Sequence, residues 1–153
     1  MREGPTVSNS SCLIALDAAG SLAILERLYS TIAVPVAVVQ ECGGALPAWV
    51  QVHSVQNQAL VQSLRLNLGA GEAEAIALSI ERSAARLILD DKKARRVAGQ
   101  LNLPVTGTVA ILLKAKERGI IPKVRNSLDV LIAANFRISD ALVQEVLRQA
   151  GEE

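Results

Sequence analysis

RLILDDKKARRVAGQL (86–101) changes its hydrophobic period partway along. Arg86 to Leu89 is a short continuous aliphatic run, the pattern of a strand covered on both faces. From Asp91 to Leu101 the apolar residues Ala94, Val97, Ala98 and Leu101 recur at helical spacing. A buried strand that passes straight into a helix belongs to a strand–helix–strand unit and hence to a parallel sheet. Asp90 and Asp91 lie at the junction, at the carboxyl end of the strand, where open parallel sheets bind their ligands. One of the two acids can cap the helix through its first backbone N–H groups, which leaves the other free to face the crevice.

The same alternation extends in both directions. Residues 5–9 read as a first strand, followed by a helix through Leu13, Ile14 and Leu16 that Ser10 and Ser11 can cap and Gly20 ends. Ser21 starts a second helix with Leu22, Ile24, Leu25 and Leu28 at helical spacing. Thr31 to Val34 is a second strand, and Pro35 suits the first turn of a helix from Val36 to Glu41. Pro47 and Trp49 begin an excursion into an alternating strand over 50–55, and 57–68 is helical in pattern. Gly69 and Gly71 interrupt the chain before a helix over 72–82. Beyond 101, Val105 is a short strand and Thr106-Gly107-Thr108 turns into a helix over 108–118. Two more helices follow near 124–135 and 139–149, the second capped by Ser139, and Gly151-Glu152-Glu153 reads as a fraying tail. Short strands alternating with helices predict an α/β fold with a parallel sheet, in one compact unit over 1–153.

At 153 residues the chain is long enough to bury a real core. With 50% hydrophobic and only 2% aromatic residues, that core must be built from Leu, Ile, Val and Ala. The formal charge of +1 provides no global basic field for nucleic acid, so any such binding needs a local patch. The start of the chain lacks a secretion pattern, and no apolar stretch approaches the roughly 20 residues that span a bilayer. Cys12 and Cys42 are therefore expected as reduced thiols in a cytoplasmic protein, and two cysteines without partners make a poor zinc site. His53, the only histidine, falls at a half-exposed position of the alternating strand. There is no glycine-rich phosphate loop followed by Lys and no Ser-His-Asp order.

What remains are the acids. Glu41 ends an apolar helical turn, where its charge opposes the helix dipole. Glu72 shares fourfold spacing with Ile76 and Ile80, which predicts a carboxylate on the buried side of its helix. Glu74 falls on a different face, nearer Leu78 and Glu81, where a solvated or capping acid is the plainer reading. Carboxylates that converge in one crevice repel unless a hard cation such as Mg2+ or Mn2+ lies between them. The equivalent position after the first strand is Asn9, a neutral amide.

The segments VSNSSCLIAL (7–16), VPVAVVQE (34–41), GEAEAIALS (71–79), LILDDKKAR (87–95), VTGTVAILLKAKERGII (105–121) and NFRIS (135–139) resemble, in this order, those of the PIN-domain superfamily. Within it the chain is most similar to the branch related to VapC-type toxins. The resemblance implies a three-layer α/β/α sandwich around a short central parallel sheet, and acids that bind Mg2+ or Mn2+ and cut RNA. Carried over residue by residue, the family's four acids fall on Asn9, on Glu41, on Glu72 or less closely Glu74, and on Asp90 or Asp91. Ser10 and Thr108 fall where hydroxyls orient water or a ligand carboxylate, although both also suit helix caps.

The resemblance further implies a toxin-like endoribonuclease of a two-gene module, working as a cytoplasmic homodimer and blocked by a small antitoxin protein over the crevice. RNA-facing candidates are Lys92, Lys93, Arg95 and Arg96, with Lys114, Lys116 and Arg118 on a later helix. All of these also suit a solvated helix face. Because Asn9 offers Mg2+ no charge, weaker metal binding is expected. The alternative is a catalytically weak or silent module that binds RNA or a protein partner. A plain interaction protein that dimerises through its aliphatic surface is a third reading, in keeping with a mean hydropathy of +0.31.

Overall fold

The computed structural model describes residues 4–153. Five short strands pair in parallel in the order β3-β2-β1-β4-β5: β1 (Thr6–Ser8), β2 (Ile32–Pro35), β3 (Val50–His53), β4 (Arg86–Ile88) and β5 (Val105–Thr106). The helices are α1 (Ser10–Ala18), α2 (Ala23–Tyr29), α3 (Val36–Glu41), α4 (Gln58–Leu64), α5 (Ala70–Glu81), α6 (Lys92–Gln100), α7 (Thr108–Glu117), α8 (Val124–Ala133) and α9 (Asp140–Gln149).

Strand side chains alternate between two cores, as the period of two requires. Ile32, Val34 and Ile88 pack on one face against α1, α2, α7, α8 and α9. Val7, Ala33, Leu87 and Leu89 pack on the other against α4, α5 and α6. The result is a three-layer α/β/α sandwich whose buried residues are almost all aliphatic. Polar groups near the sheet are paired locally. The Arg86 guanidinium donates to Thr6 Oγ1 at 2.6 Å and stacks 4.6 Å from the Tyr29 ring centre.

From β1 the chain winds outward to β2 and β3, then crosses through α4 and α5 to β4 on the other side of β1. The reversal opens a crevice at the carboxyl ends of β1 and β4. There the Asn9 backbone N–H donates to Ile88 O at 3.1 Å.

Several local expectations change. Asn9 rather than Ser10 or Ser11 caps α1, because it keeps an extended backbone and its Oδ1 accepts from Cys12 N at 3.3 Å. The helix expected from Glu72 begins at Ala70, since extended Gly69 starts it. β3 stops at His53 and α4 covers only Gln58–Leu64. Ile80 is 41% exposed, so the stripe drawn from Glu72 through Ile76 leaves the core in the last turn of α5. Glu152 is no frayed end: its side chain is 7% exposed and ties the terminus to α7 and α8. No helix among the described residues is long and apolar enough to cross a membrane.

Candidate functional site

The crevice collects helix starts. In a parallel sheet each following helix begins beside the carboxyl end of its strand, with N–H groups and positive dipole exposed there. The acids predicted from sequence are placed on these starts. Asp91 Oδ2 accepts from Ala94 N at 2.8 Å and caps α6, leaving Asp90 to face away from that helix. Asp90 Oδ1 accepts from Thr108 N at 2.9 Å, and its Oδ2 accepts from the Thr108 hydroxyl, so it holds the first residue of α7. Glu41 Oε2 accepts from Gly71 N at 3.3 Å in the first turn of α5, and its Oε1 accepts from the Ser10 hydroxyl at 2.7 Å. Glu74 Oε1 accepts from Ala37 N at 3.1 Å and serves α3, whose own cap residue Pro35 has no side-chain acceptor. That contact gives Glu74 a capping role for α3.

Glu72 lies in the first turn of α5. Burial pushes its carboxyl above the usual range, and the charges of Glu41 and Asp91 push it further; backbone amides at Gly69 and Glu72 only partly oppose this. Glu41 and Asp91 thus both bear on Glu72, and Asp90 stands beside Asp91 in the chain. Two glycines make the crowding possible. A Cβ on Gly71 would overlap Glu41 Oε1, and one on Gly107 would lie 3.1 Å from both Asp90 Oδ1 and Arg95 Nη1. In sequence Gly71 marks a break and Gly107 a turn; close approach to a carboxylate is a tertiary fact that G-x-G (69–71) and T-G-T (106–108) only hint at.

Asn9 is fully buried and spends its oxygen on the α1 cap, while its Nδ2 has no hydrogen-bond partner. Ser10 and Thr108, both buried, orient Glu41 and Asp90 through their hydroxyls. Cys12 lies beneath Thr108, and burial first, with the Asp90 charge adding to it and the Thr108 hydrogen bond opposing, pushes its thiol up to about 12. It is an inert core group.

Among the described residues no three His, Cys, Asp or Glu side chains form a ready-made metal cage. Glu72, crowded by Glu41 and Asp91, is the carboxylate with most to gain from a cation.

Lys92, Lys93, Arg95 and Arg96 are all exposed on α6. Arg95 Nη1 and Asp90 Oδ1 both approach Gly107, each 3.1 Å from where a Cβ would stand. Lys116 does not face outward for RNA: it is paired with Glu152 at 2.8 Å. A cleft of about 840 Å³ runs from Asp90, Asp91 and Arg95 between α1, α7 and α9, past Phe136 and Arg137.

A family model described as a PIN domain matches residues 5–152. No curated protein matches the chain significantly.

Proposed function

The chain belongs to the PIN-domain family, a nuclease-type fold, and on that premise we propose that it is an endoribonuclease dependent on Mg2+ or Mn2+. The observation that carries this reading is Glu72, whose carboxyl is raised first by burial and then by the charges of Glu41 and Asp91, in a crevice at the switch point of the sheet. Glu72 would be the carboxylate nearest a hydrated cation, with Glu41, Asp91 and Asp90 acting on it through its waters. A bound Mg2+ or Mn2+ supplies an activated water and positive charge opposite the phosphate. Ser10 fixes the rotamer of Glu41 and Thr108 that of Asp90, which keeps both carboxylates aimed while the site fills. Arg95, at the rim, offers a planar fork to a backbone phosphate, and Lys92, Lys93 and Arg96 add charge along the same helix.

In the wider setting of this reading the protein is the toxin-like half of a two-gene module, acting in the cytoplasm. The cleft beside the acids, lined by both apolar and charged residues, gives a small antitoxin protein a place to lie. Exposed Val130 and Ile132 on α8, outside that cleft, favour a second copy of the chain as a further partner.

The competing reading, a silent module that binds RNA or protein, is favoured by the unpartnered amide of Asn9. Incubating a pool of short RNAs with Mn2+ separates the two. Cleavage should require the cation, stop in EDTA, and fall at least about a hundredfold in Glu72→Gln, whose melting temperature stays near the original. Cleavage that survives EDTA or Glu72→Gln removes the metal mechanism. RNA retention with no cleavage at any Mn2+ concentration leaves the silent module.

A further inference from the structure

The turn NFRIS (135–139) closes α8. Asn135 takes a φ of +72°, its N–H donates to Ile132 O at 3.0 Å, and the N–H of Phe136 donates to Leu131 O at 3.0 Å. Asparagine tolerates this left-handed close better than most residues. Beyond it, Asn135, Phe136 and Arg137 in succession line the cleft that runs from Asp90 and Asp91. Phe136 is half-buried: it packs against the core and also lines the cleft. Part of the apolar lining has no cover, since Ile14 of α1 and Leu142 of α9 line the same cleft and are both exposed.

The charges of this lining differ in what they already hold. Its acids are spent within the protein. Asp90 accepts from Thr108 N, Asp91 caps α6, and Glu145 accepts from Arg148 and Gln149. Its cations are not: among the described residues Lys92, Arg95 and Arg137 enter no ion pair. Free cations beside uncovered aliphatic side chains and an aromatic ring suit a ligand that is anionic at one end and flat and apolar at the other. An unpaired nucleotide has both parts, whereas a base within a duplex keeps its faces stacked and its edges paired. A volume of about 840 Å³ belongs to a pocket for a molecule of this size more than to a flat protein-docking patch.

We infer that the cleft is a nucleotide subsite: an unpaired nucleotide flanking the scissile phosphate lays its base against Phe136, with Arg137 and Arg95 taking its phosphates. The inference rests on the nuclease reading for the neighbouring scissile bond and for RNA as the strand. It makes single-stranded RNA the substrate class and keeps duplexes out of this site. Asn135 brings to the lining an amide that both donates and accepts, a group able to read a base edge.

The test uses the full chain and three variants. Ala110→Trp fills the cleft from an exposed position on α7 and leaves the core alone. Phe136→Leu keeps an apolar side chain on the core and removes the aromatic face. Arg137→Gln removes one exposed charge. Binding of a short single-stranded RNA, and of a duplex of the same sequence, is followed by fluorescence anisotropy with Ca2+ in place of Mn2+; melting temperature and Mn2+ affinity are measured on each protein. Single-strand binding should fall at least tenfold in Ala110→Trp and about fivefold or more in Phe136→Leu. In Arg137→Gln the slope of log K against log salt should shrink by about 0.7, one phosphate contact on a single strand. Duplex binding in Ala110→Trp and Mn2+ affinity throughout should stay within about twofold. If Phe136→Leu melts early, Ala110→Trp decides. Single-strand binding unmoved in a folded Ala110→Trp overturns the inference and leaves the cleft to a protein partner, while Mn2+-dependent cleavage keeps the nuclease reading. An equal loss of single-strand and duplex binding overturns it too, as does an unchanged salt slope in Arg137→Gln. The expected losses with no cleavage at any Mn2+ concentration keep the subsite and remove the nuclease reading. A protein that neither binds nor cuts single strands removes both.

Discussion

Gly71 has room for a hydrogen and little else on the side facing Glu41. The carboxylate approaches the backbone so closely because it accepts from Gly71 N while the Ser10 hydroxyl holds its other oxygen. Gly71→Ala would force Glu41 out of this position and break both bonds. The expected cost is about 1–3 kcal/mol of stability, the usual range for overpacking a tight contact, read from the urea midpoint. Mn2+ affinity should fall in the same variant, because Glu41 no longer stands beside Glu72. A variant as stable as the original with unchanged Mn2+ binding would mean that Glu41 is free to leave without consequence. Glycines of this kind are legible in sequence only as turn residues; which side chain presses on them depends on an element 30 positions away.

At the scale of elements, the acids that look like a metal cluster in sequence are also a set of helix caps. Glu41 serves the start of α5, Asp91 α6, Asp90 α7 and Glu74 α3, while the neutral amide of Asn9 serves α1. Helix dipoles favour acids at these places, so part of the charge in the crevice is balanced by backbone alone. The two roles separate by experiment. Glu74→Ala should cost about 1 kcal/mol through the lost cap on α3, with Glu74→Gln keeping most of that stability because it retains an acceptor for Ala37 N. Neither should move Mn2+ affinity by more than about twofold, since Glu74 is spent on α3. A tenfold loss of Mn2+ binding in Glu74→Gln would return this residue to the site.

For the whole molecule, the terminus is closed by Glu152. Its oxygens accept from Val124 N at 2.7 Å, Arg125 N at 2.9 Å and Lys116 Nζ at 2.8 Å, while Lys116 also donates to Ala150 O. Burial alone would raise this carboxyl, but the hydrogen bonds from Lys116, Arg125 and Val124 outweigh it and hold it at about 2. A carboxyl held below its ordinary value of 4.5 stabilises the fold fully above that value. The contribution fades as pH falls from about 4.5 toward 2, where folded and unfolded states are both protonated. Glu152→Gln should therefore lower stability by about 1–2 kcal/mol at neutral pH, and the gap to the original should close across that acid window in urea titrations. Glu145 is held equally low by Arg148, yet the pair is exposed and screened, so its removal should barely register. Glu72 has the opposite sign: its raised carboxyl opposes folding once ionised, so protonation relieves the fold.

Sequence by itself determined the alternation of aliphatic strands and helices, the parallel sheet, the aliphatic core and the acids at strand ends, because each follows from local periodicity and from which residues may be buried. Glu41, Glu72, Asp90 and Asp91 could be named that way; what each carboxylate touches could not. Only the tertiary structure decided that Asp91 caps while Asp90 holds Thr108, that Glu74 belongs to α3, and that Lys116 serves Glu152 instead of facing outward. It also decided that Asn9 commits its oxygen to α1 and leaves a buried donor behind. The physical reason is common to all of these. A carboxylate or amide chooses among N–H donors by distance, and the donors that win lie on helices brought together only when the sheet is wound.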